Sequence, residues 1–187
     1  MTMASCEYAD EVPCKSNNYA FFDDVCANEL INAVTVDQII NLSKFCTSIP
    51  LDFIENDPTD VLKFNKLLTR AKDKVGVYHL WVENSRCSDH KIYSMLCVYV
   101  GKGDILDRVK EHTKEKYENQ GLLHLSFYEC ENRIAKYLEQ LFLDIYDFPM
   151  NHKENKNSKN EKLYARWSSD RYNIGTEMEF LSDRYSK

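Results

Sequence analysis

The feature that most constrains the fold is a pair of β-rich runs that stand close together in the sequence. The first run is VGVYHLWV over residues 75–82, and the second is KIYSMLCVYV over residues 91–100. β-branched and aromatic residues dominate both runs, as is typical of strands. The polar segment 83–90 between them predicts a connecting loop. The sequence therefore predicts a long-looped antiparallel hairpin at the centre of the fold.

The segments after the hairpin predict further helices and one more strand. Apolar residues at helical spacing indicate helices over 103–119 and 131–148, with Pro149 stopping the second. An alternating run over 122–130 indicates a strand. A short final helix is predicted over 163–173. This order is typical of an α+β fold, here with a small, mostly antiparallel three-stranded sheet flanked by helices.

The charge distribution divides the chain into two parts. Residues 1–60 carry eleven acidic and two basic residues, whereas residues 61–187 carry a net charge of +3. Such asymmetry predicts parts with different partners. We therefore expect an acidic, mostly helical N-terminal region over 1–72 and a second domain with a C-terminal extension over 73–187. Helical spacing predicts three helices in the first region: 23–34, 35–46 and 56–72.

The cysteines and the hydropathy limit the class of protein. The seven cysteines form no CxxC pair, so neither a zinc ribbon nor a thioredoxin-type motif is indicated. CSDH at 87–90 could supply half a zinc site, but a solvated loop is the preferred interpretation. No apolar run approaches the ~20 residues of a spanning helix, so no membrane partner is expected. These features predict a cytoplasmic or otherwise intracellular protein, with secretion as an effector left open.

Two tripeptides on the predicted hairpin and three polar residues on the following helices form an ordered series. They are GVY (76–78), YVG (99–101), Arg108, His112 and Glu139. This series resembles the signature of the GIY-YIG nuclease superfamily, and the resemblance covers roughly residues 75–152. Each tripeptide alone is weak, but the five elements occur in the right order on the right kinds of element. Val77 stands in place of the usual Ile, and the loop between the two tyrosines is longer than usual.

The resemblance implies a catalytic set and a cofactor. Glu139 would hold one divalent ion, Mg²⁺ or Mn²⁺, which polarises the scissile phosphate of a nucleic acid. Arg108 would offer a charged fork to the non-bridging oxygens. Tyr78 is the superfamily's candidate general base, and a phenol of pKa ~10 needs a depressed pKa for that role. Tyr99 would position phosphate or water, and His112 would orient water or support the site.

Substrate-binding residues are expected on both sides of this set. Gly101 and Gly103 would let the backbone approach a phosphate, and Lys102 would add positive charge. Asn151 resembles the residue that ends the corresponding helix in an excision-repair subunit of the superfamily, and it would orient water or support the site. The basic stretch 152–171, which includes Lys153 and Lys156, predicts a surface that follows a nucleic-acid backbone.

Three functional hypotheses follow from these expectations. The leading one is a metal-dependent endonuclease that acts on DNA in preference to RNA, as a toxin or effector or as a repair- or restriction-type nuclease. Its acidic region would dock a protein partner, deliver the enzyme or repel phosphates. The second is a degenerate fold that binds nucleic acid or a protein without cutting. The third is coincidence, in which tyrosines, glycines and Arg108 are ordinary core, turn and surface residues.

Overall fold

The computed structural model describes most of the chain between residues 19 and 172. The described residues are 19–43, 45–49, 72–105, 108, 123–151, 161–169, 171 and 172. Three helices and five strands lie within them. In chain order they are α1 (Ala20–Glu29), α2 (Val36–Ile40), β1 (Phe45–Ile49), β2 (Val75–Cys87), β3 (Ile92–Asp104), β4 (Leu123–Glu129), α3 (Asn132–Ile145) and β5 (Tyr164–Ser168).

The strands form one antiparallel sheet in the order β1-β4-β2-β3-β5. The α+β class and the antiparallel character of the sheet are therefore confirmed. The expected number of three strands is wrong, because the described sheet has five. The three predicted strands form its centre as β4-β2-β3, and the two additional strands add one edge on each side.

The central hairpin is longer than the sequence predicted. Strand β2 continues to Cys87, so most of the segment 83–90 expected to be a loop is paired with β3. Register shifts after Leu80 and after Glu83 accommodate the twist of these long strands. At the other end, β3 runs through Gly101 and Gly103 to Asp104, so the glycines belong to a strand and not to a turn.

The strand β5 corrects the helix predicted over 163–173 at residues 164–168, whereas residues 169, 171 and 172 are helical as predicted. Ala165 and Trp167 are buried while Tyr164 and Arg166 are partly exposed, which is the alternation of a half-buried strand. Residues 92–96 of β3 pair with it. Five residues are too few for periodicity to separate a strand from a helix. The position of the segment beside β3, and not its local pattern, decides its structure.

The N-terminal helices are shorter than predicted but share the core of the second domain. Thr35 caps α2 as expected, in a capping box with Gln38, but the helix ends at Ile40 and the chain then enters β1, so the helix predicted over 35–46 is wrong beyond residue 40. Phe22 of α1 packs on Phe142 of α3 with ring centroids 4.4 Å apart. The boundary at residue 72 stays a prediction, although the described residues before it do not form a separate body.

Helix α3 covers one face of the sheet and carries the apolar stripe that the sequence predicted. Leu138, Leu141 and Ile145 are buried, and Ile134 is partly buried against the same core. The helix ends at Ile145, before the predicted end at residue 148. None of the helices in the described segments is both long and apolar enough to cross a membrane. The helix predicted over 56–72 falls outside the described residues except at residue 72. Of the one predicted over 103–119, residues 103–105 and 108 are described; 103 and 104 belong to β3, whereas 105 and 108 are helical.

Candidate active site

Two tyrosines lie side by side on one face of the central hairpin. Tyr78 of β2 pairs with Gly101 of β3, and Tyr99 precedes Gly101 by two residues, so all three positions share a face. The ring centroids of Tyr78 and Tyr99 are 5.8 Å apart. Both side chains are nearly buried, at 1% and 6% exposure. The hairpin register therefore brings together the two tyrosines of the GVY and YVG motifs.

The absence of a side chain at Gly101 makes room for Tyr78. A Cβ on Gly101 would lie 2.5 Å from the Oη of Tyr78 and 2.8 Å from the Cε1 of Tyr99. Contacts this short do not occur between real atoms, so any larger residue would displace a phenol. The sequence predicted that Gly101 lets a phosphate approach, whereas in the structure Tyr78 takes that space.

Gly103 and Arg108 bring positive charge to the same place. Gly103 has a φ of +117°, in a region that side-chain-bearing residues rarely adopt. A Cβ on Gly103 would lie 3.9 Å from both Cγ and Nε of Arg108, so the arginine side chain runs close to this glycine. Arg108 is exposed, and its charge acts on Tyr78. The predicted phosphate-binding arginine thus lies beside Gly103, two residues after the glycine that pairs with Tyr78.

Glu139 of α3 contacts a cation of the hairpin. Its Oε2 accepts a hydrogen bond from Nζ of Lys102 at 2.5 Å, and the two side chains are 18% and 31% exposed. Lys102 pairs with Val77 and lies on the sheet face that α3 covers. A partly buried carboxylate needs a nearby cation. The sequence predicted a metal ion or Arg108 for this role, and the structure supplies Lys102.

The environment of Tyr78 raises the pKa of its phenol. Burial has the largest effect, and the proximity and hydrogen bond of Tyr99 raise the pKa further. The positive charge of Arg108 lowers it, while the negative charge of Glu139 raises it. The depressed pKa that a general base needs is therefore the opposite of what this environment produces. Burial and the contact with Tyr99 thus favour the neutral phenol.

Asn151 holds the backbone of β3 through its side-chain amide. Its Oδ1 accepts a hydrogen bond from the amide of Val100 and its Nδ2 donates to the carbonyl of the same residue, both at 3.0 Å. Asn151 is 2% exposed. Val100 lies between Tyr99 and Gly101, so this two-point contact fixes the backbone that carries the YVG motif. The geometry favours the supporting role, and a direct contact of Asn151 with substrate stays a prediction.

The structure thus places most of the predicted site residues at or beside one end of the β2–β3 hairpin, with the tyrosines on one sheet face and the contact of Lys102 with Glu139 on the other. They are Tyr78, Tyr99, Gly101, Lys102, Gly103, Arg108 and Glu139. His112, Lys153 and Lys156 lie outside the described residues. Sequence reasoning missed the ion pair of Lys102 and Glu139. If β3 had been predicted to continue through the glycines, strand alternation would have placed Lys102 on the face opposite Tyr99, which is the face that α3 covers.

Two further regions lie outside this site. Trp167 is fully buried and Arg171 is 8% exposed, so both residues pack into the protein. Cys87 Sγ and His90 Nδ1 are 3.6 Å apart in the turn between β2 and β3. In the described part of the chain, no group of three or more His, Cys, Asp or Glu side chains is placed to hold a metal ion.

A divalent ion at Glu139 is compatible with the residues around it. Mg²⁺ binds proteins through one or two carboxylates and takes its other ligands from water and phosphate oxygens. The carboxylate of Glu139 is partly exposed and suits that coordination, once Lys102 shares or leaves it. Comparison of the chain with protein-family models, curated proteins and solved structures found no match. The likeness to GIY-YIG nucleases therefore depends on the motifs and on the geometry described above.

Proposed function

We propose that the protein is a divalent-metal-dependent endonuclease of the GIY-YIG type that hydrolyses phosphodiester bonds, in DNA in preference to RNA. One observation carries the proposal. The rings of Tyr78 and Tyr99 lie 5.8 Å apart near the end of the β2–β3 hairpin, where Arg108 runs along Gly103 and Glu139 of α3 contacts Lys102. A pair of core tyrosines has no structural need for a guanidinium and a carboxylate at the same end of a hairpin, whereas phosphate hydrolysis needs these groups together.

Glu139 would hold the divalent ion, because its carboxylate is partly exposed at the end of the hairpin. When bound, the ion would polarise the phosphate and stabilise the leaving oxygen. Arg108 would bind the non-bridging oxygens, since its side chain runs along Gly103, where the strand has no side chain. Lys102 would neutralise further negative charge on the phosphate.

Tyr78 would act with its proton in place. Its raised pKa disfavours proton abstraction at neutral pH, and a neutral phenol donates a hydrogen bond to an oxygen and accepts one from water. Tyr99 would hold that phenol in position through their hydrogen bond. We therefore assign to Tyr78 the orientation of the attacking water or of a phosphate oxygen, and not the role of general base.

The small basic excess of residues 61–187 predicts modest, salt-sensitive affinity for nucleic acid. The same chemistry would serve an intracellular repair or restriction enzyme and a delivered effector. The acidic residues of the N-terminal region would dock a protein partner, as the sequence suggested.

The test is cleavage of supercoiled plasmid with Mg²⁺ or Mn²⁺ by the parent protein and by matched variants. Glu139→Gln and Arg108→Ala should each reduce cleavage by at least about a hundredfold. Two control variants change exposed residues of α3: Glu131→Gln at its N-cap and Lys136→Ala within the helix. Both should cleave the plasmid as the parent does. The nuclease proposal is refuted if the parent leaves the plasmid intact. It is also refuted if Glu139→Gln and Arg108→Ala cut the plasmid at the parental rate.

A binding module that does not cut is the second candidate. The near-complete burial of Tyr78 and the engagement of Glu139 by Lys102 favour it, because both limit access of water and metal. This function predicts that the protein retards duplex DNA in a gel while the plasmid stays intact with either metal. It also predicts that Glu139→Gln leaves the retardation unchanged and Arg108→Ala weakens it.

A further inference from the structure

The ion pair of Lys102 and Glu139 lies where the nuclease proposal requires a metal ion. The ammonium donates to Oε2 of Glu139 at 2.5 Å, and both side chains are largely shielded from water. A divalent ion coordinates carboxylate oxygens at about 2.1 Å, so the ammonium and the ion would compete for the same oxygen. Like charges so close together repel each other strongly in a partly buried site.

The backbone of Lys102 cannot move away from Glu139, but its side chain can. Lys102 is paired with Val77 near one end of the β2–β3 ladder, and this pairing fixes its Cα. Its four-carbon stem is flexible, and its side chain is 31% exposed, so the ammonium has room to move. Released from Glu139, the partly buried ammonium needs another anionic partner. A phosphate bound by Arg108, which runs along Gly103, would supply one.

We propose that Lys102 is an internal competitor of the metal ion, which holds Glu139 until a phosphate group attracts it away, so that metal and phosphate bind cooperatively. This inference depends on the proposed function, since it assumes a divalent ion at Glu139. Coupling of two ligands through a shared group is reciprocal. The metal strengthens phosphate binding by the same factor as phosphate strengthens metal binding. Because Lys102 occupies Glu139 in the absence of phosphate, the site would bind the metal ion tightly only when substrate is present.

The test measures Mn²⁺ binding to the full-length protein by electron paramagnetic resonance of the free ion, with and without thymidine 3′,5′-bisphosphate. This nucleotide carries phosphates but no scissile diester, and the Mn²⁺ that it binds by itself is subtracted. The parent should bind Mn²⁺ weakly alone and at least about fivefold more tightly with the nucleotide. Lys102→Met should bind Mn²⁺ alone at least about fivefold more tightly than the parent and should lose most of the enhancement.

Two further variants separate competition from a merely structural effect. Lys102→Arg keeps the positive charge and should restore the weak binding of Mn²⁺, whereas Lys136→Met removes an exposed lysine of α3 and should leave Mn²⁺ binding unchanged. Far-ultraviolet circular dichroism checks that each variant is folded. If Lys102→Met unfolds the protein, a Lys102→Gln variant takes its place with the same expectation.

The outcomes distinguish failure of this inference from failure of the nuclease proposal. Mn²⁺ binding that Glu139→Gln abolishes but that neither Lys102→Met nor the nucleotide alters overturns the competition and leaves the metal site intact. Binding that Glu139→Gln does not affect, or no binding by any variant, overturns the competition together with the assignment of metal to Glu139. Plasmid cleavage by the same preparations then decides separately whether the protein is a nuclease.

Discussion

The phenol of Tyr78 lies directly over the backbone of Gly101, its partner across the β2–β3 ladder. A Cβ at Gly101 would meet both Oη and Cζ of Tyr78 at 2.5 Å. The two residues therefore depend on each other, since the glycine provides the space and the tyrosine fills it. This relationship accounts for both residues without any ligand, and it also fixes where the hydroxyl group points within the candidate site.

Gly101→Ala should destabilise the protein by about 1–3 kcal/mol, because the added methyl group displaces a nearly buried phenol. Urea unfolding of the variant and the parent measures the change in free energy. The cost should largely disappear in a Tyr78→Ala background, where the space is open. An equal cost of Gly101→Ala in both backgrounds would show that the contact with Tyr78 does not determine the preference for glycine.

Asn151→Ala should cost about 2–3 kcal/mol, since the amide and the carbonyl of Val100 both lose a buried hydrogen-bond partner. If the amide of Asn151 only supports the site, cleavage should fall because Tyr99 and Gly101 flank Val100, while the affinity for DNA changes little. Urea unfolding and gel retardation of the same variant separate the two effects. A large loss of DNA affinity with full stability would instead indicate that Asn151 contacts the substrate.

Arg171 joins the end of the described chain to the end of α2. Its Nη2 donates to the carbonyl of Ile40 at 2.5 Å and to Oγ of Ser43 at 2.9 Å, while its Nη1 donates to the carbonyl of Asn41 at 2.7 Å. The guanidinium also lies 5.0 Å from the centre of the Trp167 ring. This contact explains how a segment late in the sequence holds the N-terminal helices on the core.

Arg171→Ala should lower the free energy of unfolding by about 2–4 kcal/mol and speed hydrogen exchange in α2, because several buried carbonyl groups lose a charged donor. Arg171→Lys should recover less than half of the loss, since an ammonium cannot match the planar fork. Lys162→Ala removes an exposed charge close in sequence and serves as the control. Exchange in α2 at the parental rate in Arg171→Ala would contradict the assignment.

Two buried histidines should make the protein sensitive to mild acid. Burial lowers the pKa of His79 to about 3 and that of His124 to about 4. His79 packs against Trp81 and Phe142, and His124 packs against Trp167 and Tyr172, so neither ring gains from becoming charged. In the unfolded chain these groups titrate near their ordinary pKa of about 6.5. The unfolded state thus binds more protons below that pH.

Each histidine should reduce the free energy of unfolding by about 2 kcal/mol between pH 7 and pH 5. The free energy of unfolding is therefore highest above about pH 6.5, where both rings are neutral in the folded and the unfolded state. It falls progressively as the pH decreases towards the folded-state pKa values. Urea unfolding at pH 7 and pH 5 measures the slope. His79→Leu and His124→Leu should each reduce it by about half, and an unchanged slope in both variants would mean that other groups cause the acid sensitivity.

The centre of this fold could be predicted from the sequence, while its edges could not. The strands β2, β3 and β4 and the helix α3 have enough residues for their period to be recognised, and all four were predicted. The edge strands β1 and β5 have five residues each; the start of β1 and all of β5 were assigned to helices, and the rest of β1 was not predicted. β1 is a strand because it pairs with β4, and β5 is a strand because it pairs with β3. A local sequence pattern does not predict such pairing between distant segments.

The candidate site shows the same division between local and long-range determinants. The motifs predicted that Tyr78, Tyr99, Arg108 and Glu139 come together, since the register of one hairpin and the position of one helix suffice for that. The contact of Lys102 with Glu139 could not be predicted, because it requires β3 to continue past Gly101 and α3 to cover that face. The raised pKa of Tyr78 was missed for a related reason, since it follows from burial and not from the charges nearby in sequence.

The protonation of Tyr78 can be tested by titrating the tyrosines through their ultraviolet absorbance. Because burial and Tyr99 raise the pKa of Tyr78, its phenol should stay neutral while exposed tyrosines ionise near pH ~10. The titration curves of the parent and of Tyr78→Phe should therefore coincide up to about pH 11. Cleavage by Tyr78→Phe should still fall at least about a hundredfold, through loss of the oriented hydrogen bond. If instead the parent shows a tyrosine that ionises below pH ~9 and Tyr78→Phe lacks it, Tyr78 is able to act as a base.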